Sequence, residues 1–488
     1  MEIKTQQLVN DCINTVGSKS IDAVCTIDTS ERGGAHRILS VSASSAVTQV
    51  ETVEGQARVE GRVNYKLLYL DGEGRPAGLD YYCDWQTVVE DPAIDASYAK
   101  AISVVADDHA GIRDNVITLT ADVDIEVYQA VSTSVEAIVE AECECLETPC
   151  QLNKIIHLAE TRYDVADEIE TGENIERVLL FDARCGLGEI KPGPLGNTLE
   201  GVVLADVVYL VDGNLKSRRL SIPFGEELEL DGEISGTLSV KSARIVVSGE
   251  ENNSILRVET VLSFAGYRHE EQEGKVVADM YAPDLDLAMT KGELLCRKPA
   301  GHYHLSEKVS AQTPIGEETG NVGRVVCALP ARLSVANWVP GEDSITMEGL
   351  AVVSVVGEGD GIVAATVELP FSATCSAQGV TEDSLLQGTA YIGGVEAVIK
   401  GGVLEVTALI KGCVECYQPV LIEYVSKVEE APAAMAEGAA ISVYFPSQGE
   451  TLWDVARAVR VSPKELAALN PDMGDKPQRV IVFRHQEI

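Results

Sequence analysis

Positive charge is scarce in this chain. Its 488 residues carry 38 Lys and Arg against 77 Asp and Glu, a formal net charge of −39. Phosphate recognition rests on Lys and Arg neutralising backbone charge, so nucleic acid and anionic membrane surfaces are excluded as expected partners. Two readings of the acidity stay open: it keeps the protein dispersed, or it docks a basic partner. Aromatic residues make up only 5% of the chain while apolar residues make up 45%, which points to cores of Val, Ile, Leu and Ala. No apolar run approaches the roughly 18 residues needed to cross a bilayer. The opening "MEIKTQQLVNDCINTVGSKS" lacks the basic-then-apolar pattern of a secretory signal. The expected location is the cytoplasm.

Catalytic signatures are equally sparse. None of the seven His stands in an H-E-x-x-H setting, and neither G-x-S-x-G nor a G-x-x-x-x-G-K-[ST] phosphate loop occurs. His302 and His304 would share one strand face, but no third ligand accompanies them. The twelve cysteines are scattered apart from Cys143, Cys145 and Cys150, and the pair Cys413 and Cys416. Zinc usually takes two ligand pairs on turns, whereas these lie in strand-like runs where Cys413 and Cys416 point to opposite faces. In a reducing compartment the cysteines serve as small apolar residues. No catalytic residue, cofactor or metal is expected.

What the chain does have is an internal repeat. "HRILSVSASSAVTQVETVEGQARVEGRVNYKLLYLDG" from His36 aligns with "ERVLLFDARCGLGEIKPGPLGNTLEGVVLADVVYLVDG" from Glu176 and "GRVVCALPARLSVANWVPGEDSITMEGLAVVSVVGEGDG" from Gly323. Arg37, Arg177 and Arg324 precede Gly61, Gly201 and Gly349 by 24, 24 and 25 residues. Each Glu-Gly pair leads through an apolar run to a turn (Asp71-Gly72, Asp212-Gly213, Asp360-Gly361), then to a second run ending at Trp85, Phe224 or Phe371. Two runs around an Asp-Gly turn predict a β-hairpin, since Gly supplies the positive φ such a turn demands. "ITLTADVDIEVY" from Ile117 alternates as a half-buried strand should. The repeated Arg is read as covering a strand edge or pairing with the acidic surface rather than as a recognition residue. The expected architecture is mainly β, with three tandem antiparallel sandwich or open-barrel modules at 1–150, 151–295 and 296–426.

Composition then shifts. "KVEEAPAAMAEGAA", 427–440, reads as a flexible linker. Residues 441–488 carry six Lys and Arg and six Asp and Glu, so the whole charge excess lies upstream. "ISVYF" predicts a short strand. Thr451 with Asp454 caps a first helix striped by Leu452, Val455, Ala456 and Val459. Ser462-Pro463-Lys464-Glu465 forms a capping box for a second helix, carrying Leu466 and Leu469. "RVIVF" returns as a strand, giving β-α-α-β.

"GETLWDVARAVRVSPKELAALNP" resembles a LysM domain, whose usual opening is Gly-Asp-Thr-Leu-Trp and whose second helix ends in Leu-x-x-Asn-Pro. The resemblance implies a shallow groove for N-acetylglucosamine-containing glycans between the loop after the first strand and the loop after the second helix. Carried over, that groove is Gly449, Glu450, Thr451 and Leu452 on one side and Leu469, Asn470 and Pro471 on the other. Glu450 departs from the usual Asp, and Pro477 with Gln478 stands where a Gly often precedes the last strand. Trp453, between apolar neighbours, is read as packing inward rather than as a ligand platform.

The body with this tail resembles SipL/SpoVID-type spore-coat morphogenetic proteins, in which tandem SPOCS-type repeats end in LysM. That likeness implies a non-enzymatic scaffold in the mother-cell cytoplasm, recruited to the forespore surface. Its LysM tail would dock to a SpoIVA-type coat-basement ATPase, with other coat proteins as further partners. The alternative is a protein that binds peptidoglycan or its lipid-linked precursor through LysM.

Overall fold

The computed structural model describes residues 1–194, 196–228, 230–250, 253–316, 319–432, 441–471 and 479–483. Short loops join long antiparallel strands, and the sheets stay open. β1 (Ile3–Asp28), β6 (Val116–Ala141) and β5 (Ala99–Arg113) form one sheet in the order β1-β6-β5, and β2 (Arg37–Val53), β3 (Gln56–Leu70) and β4 (Pro76–Glu90) form a second. Alternation along these strands sends Val59, Val63, Leu119 and Val123 into one apolar core between the two sheets.

The same six-strand order occurs twice more. β9 (Arg177–Gly193), β10 (Gly196–Val211) and β11 (Asn214–Glu227) make one sheet; β12 (Glu233–Glu250), β13 (Asn253–Tyr281) and β7 (Glu144–His157) make the other. β8 (Thr161–Glu170) continues the line of β7 along the first half of β13, so that two strands do here what β1 does alone. In the last unit β15 (Arg324–Gly341), β16 (Ser344–Gly359) and β17 (Gly361–Ser376) face β14 (Leu285–Pro314), β19 (Val403–Pro432) and β18 (Leu385–Lys400). The boundaries expected at 150 and 295 fall inside β7 and β14. The sequence repeat spans the hairpin of each unit and does not reach its first strand, β1, β7 or β14.

The repeated residues have physical reasons. Hairpins stand at all three Asp-Gly sites, joining β3 to β4, β10 to β11 and β16 to β17. At the two-residue turn between β10 and β11, Asp212 and Gly213 both take positive φ, 48° and 72°. Gly61, Gly201 and Gly349 lie directly across the sheet from Trp85, Phe224 and Phe371. A Cβ on these glycines would meet the ring at 2.1, 2.6 and 2.7 Å respectively. The Gly and the aromatic 24, 23 and 22 residues later are therefore one feature: a bare strand position covered by a ring.

Bulges also recur. Leu39, Leu179 and Val326, each two residues beyond the repeated Arg, are extra residues in β2, β9 and β15. A bulge re-aims its side chain, and these three turn toward a cluster shared by all three units, with Leu68, Leu180, Val208, Leu329 and Val356. The exposed Arg37, Arg177 and Arg324 simply open their strands, and Arg324 pairs with Glu358 at 3.3 Å. Polar contacts join the units as well. Arg332 holds Asp107 and, at 3.0 Å, Asp108; Arg219 donates to the Val395 and Ala328 carbonyls at 2.7 and 3.0 Å. Gly78 approaches the next unit so closely that a Cβ would fall 1.5 Å from the Leu179 carbonyl oxygen.

Lys427–Pro432, expected in the linker, instead completes β19, each residue paired with β14. Backbone pairing overrides the charged, Pro-containing composition there; 433–440, the rest of the expected linker, lies outside the described residues.

Candidate functional site

The terminal piece builds from two four-residue strands, β20 (Ile441–Tyr444) and β21 (Val480–Phe483), and two helices, α1 (Leu452–Val459) and α2 (Pro463–Leu469). Val455, Ala456, Val459, Leu466, Val480 and Val482 are buried together, with Leu452 and Tyr444 at their margin. Eight- and seven-residue helices are marginal alone, so packing and capping hold them. Thr451 and Asp454 form the expected reciprocal box: the Asp454 amide donates to Thr451 Oγ1 at 3.3 Å, and the Thr451 amide to Asp454 Oδ2 at 2.8 Å. The box expected at Ser462 is not made, since its side chain bonds no amide. Pro463 at the first helical position fixes the entry, and the Leu466 amide donates to the Ser462 carbonyl at 2.9 Å.

Tyr444 pairs with Val480, and Asn470 clasps Ile481, so the loops after β20 and after α2 emerge at one end of the small sheet. The groove residues expected from the sequence therefore share that end, yet their polar groups are largely spent internally. Glu450 accepts from Tyr444 Oη at 3.2 Å and from the Ser447 amide at 2.9 Å. Thr451 is consumed by the cap. Asn470 donates to the Leu466 and Ile481 carbonyls at 2.8 and 2.9 Å and accepts from the Ile481 amide at 2.8 Å. Gly449 takes φ +98°, the turn into α1. Leu452 packs inward; Leu469 and Pro471 are exposed. Pro477 and Gln478 lie outside the described residues.

Exposed apolar side chains are what this end and the adjoining sheet face offer. Phe445 is 71% exposed, Leu469 41%, and Ile441 and Val443, on the outer side of β20, 59% and 49%. Phe445, Ile441 and Val443 were not singled out from the sequence. The alternation of "ISVYF" held the signal: with Tyr444 inward, its odd-numbered neighbours must face out.

Trp453 packs, but against the body rather than within the terminal piece. Its ring meets Tyr281 edge-on, with centroids 5.1 Å apart, and its Nε1 donates to Asp279 Oδ2 at 2.9 Å. Arg457 donates to the same oxygen at 2.7 Å, Tyr281 Oη donates to the Val461 carbonyl at 2.7 Å, and Arg460 pairs with Asp286. Asp279 follows a bulge at Ala278 in β13; the corresponding residues beyond the bulges at Val139 and Ser426 are Glu140 and Lys427. Two positions on, Tyr281 is matched by Glu142 and Glu429. Only the second unit presents this acceptor-aromatic pair.

Elsewhere, where the three units meet, Cys12, Asn153, His269, Arg297, Gln387 and Tyr417 line a small cavity of about 10 Å³, room for about one water. Asn153 bonds the His269 ring at 3.0 Å, and burial pushes the imidazole down to about 4. Among the described residues no three His, Cys, Asp or Glu side chains converge to hold a metal, and no helix is long and apolar enough to cross a membrane. Compared with known proteins, the chain matches no family model, no curated protein and no solved structure.

Proposed function

We propose that this chain is a non-enzymatic scaffold of spore-coat assembly, its three six-strand units being SPOCS-type repeats and residues 441–488 a LysM domain used for protein docking. In this reading the LysM end engages a SpoIVA-type coat-basement ATPase at the forespore surface, from the mother-cell cytoplasm. The observation that carries the choice of a protein partner is the contrast at the loop end: Glu450, Thr451 and Asn470 have their hydrogen-bonding capacity taken up internally, while Phe445 and Leu469 stand exposed. A sugar is recognised through its hydroxyls; an exposed aromatic with aliphatic neighbours suits the apolar centre of a protein interface.

The body contributes spacing and valency. Three units around a shared core display several surfaces in fixed relation, and several weak contacts on one chain raise effective concentration on a surface carrying many partner copies. In sporulating cells, a fluorescent fusion lacking residues 441–488 is expected to stay diffuse in the mother cell. Unchanged capture at the forespore would overturn the docking role of the tail.

A further inference from the structure

Near Cys143 the structure gathers sulfur. Cys143 sits at the bend between β6 and β7, and Cys145 is the second residue of β7. One intervening residue leaves the two sulfurs 3.9 Å apart. Directly across the sheet from Cys145 is Met280, whose side chain is fully buried and shares its face. The same apolar cluster includes Met289 and Met1. Two thiols and up to three thioethers thus occupy one small region, although the whole chain has only six methionines.

The donor set selects the ligand. Zinc would need further nitrogen or sulfur ligands of its own kind, and the described residues offer no third His, Cys or carboxylate in place. Thiolate with thioether is the combination that soft, monovalent copper prefers. Geometry agrees: with metal–sulfur bonds of about 2.3 Å, a 3.9 Å separation opens the S–metal–S angle to about 116°, near the trigonal value. Cys143 and Cys145 are half-buried, while Met280, fully buried opposite Cys145 in the same apolar cluster, has three rotatable bonds with which to place its sulfur.

We propose that Cys143, Cys145 and Met280 form a three-coordinate site for one Cu(I) ion. Binding deprotonates both thiols and releases two protons to water; the copper enters and stays as Cu(I), so no electron is exchanged.

The test is an anaerobic titration of the full chain with Cu(I) in competition with a chromogenic Cu(I) chelator, repeated for C143S/C145S and for M280L. The native chain should withdraw one more equivalent than C143S/C145S, and M280L should bind that equivalent about tenfold more weakly. Equal stoichiometry in the native chain and C143S/C145S would overturn the site. Should the double variant misfold, M280L, which nearly conserves volume, still decides: unchanged affinity would remove Met280 from the site and contradict the proposal.

Discussion

At the scale of single residues, His269 makes the sharpest statement about the interior. It is 7% exposed, faces Asn153, Tyr267 and Tyr417, and is held neutral by burial with a pKa of about 4, with His302 nearby adding a smaller push in the same direction. An unfolded histidine titrates near about 6.5, so the unfolded chain takes up a proton first as pH falls. The stabilisation is therefore complete above about 6.5 and is lost as pH drops through about 4, a change on the order of 3 kcal/mol. Urea unfolding of the native chain and of His269→Gln should show a stability difference that shrinks by about that amount between neutral pH and about pH 4. A difference that stays constant across that range would mean that the imidazole takes up its proton as readily in the fold as in the unfolded chain. Such a residue was not legible in advance: nothing around "YRHEEQ" tells that three units close over it. The glycines opposite Trp85, Phe224 and Phe371 were legible, because threefold recurrence at fixed spacing isolates them from the 42 glycines of the chain.

At the scale of elements, hairpins and helices were readable and long-range docking was not. Turn chemistry is local, so Asp71-Gly72, Asp212-Gly213 and Asp360-Gly361 declare their hairpins, and Thr451 with Asp454 declares α1. The seat of α1 on β13 depends instead on Asp279 and Tyr281, some 170 residues upstream of their partners. Asp279 is nearly buried, takes two donors on one oxygen, and has Lys291 3.5 Å from the other. Removing it leaves the Trp453 indole N–H and the Arg457 guanidinium without their acceptor, at a cost of about 3 kcal/mol. Asp279→Ala should free the terminal piece while leaving both its own core and the β units folded. The check is fluorescence: of the three tryptophans, Trp453 alone leaves its packing, giving a red-shifted difference spectrum without loss of β-sheet circular dichroism. An unshifted spectrum would show that the contact is dispensable. The groove residues Gly449 to Leu452 and Leu469 to Pro471 were placed at one end from the motif, but which of them retain free polar atoms depended on Tyr444, Ser447 and Ile481, outside the motif itself.

At the scale of the whole molecule, the three units are not beads on a string. Leu39, Leu68, Leu179, Val208, Leu329 and Val356 bury one another across unit boundaries, and Arg219 and Arg332 bond across them. Mainly β character and antiparallel pairing could be read from alternation; the shared centre could not, because bulges that turn Leu39 and Leu179 inward leave no periodic signal. A body built this way sets its surfaces at fixed relative positions, which suits the proposed scaffold role, in which the tail is the element proposed to find a partner. The measurement that tests this most directly is titration calorimetry of the full chain, and of the chain ending at residue 440, against a SpoIVA-type coat-basement ATPase and against N-acetylglucosamine oligomers. The account predicts micromolar or tighter binding of the ATPase by the full chain, loss of that binding on truncation, and no response to the sugar. Equal ATPase binding by the truncated chain, or a response to the sugar alone, would contradict it.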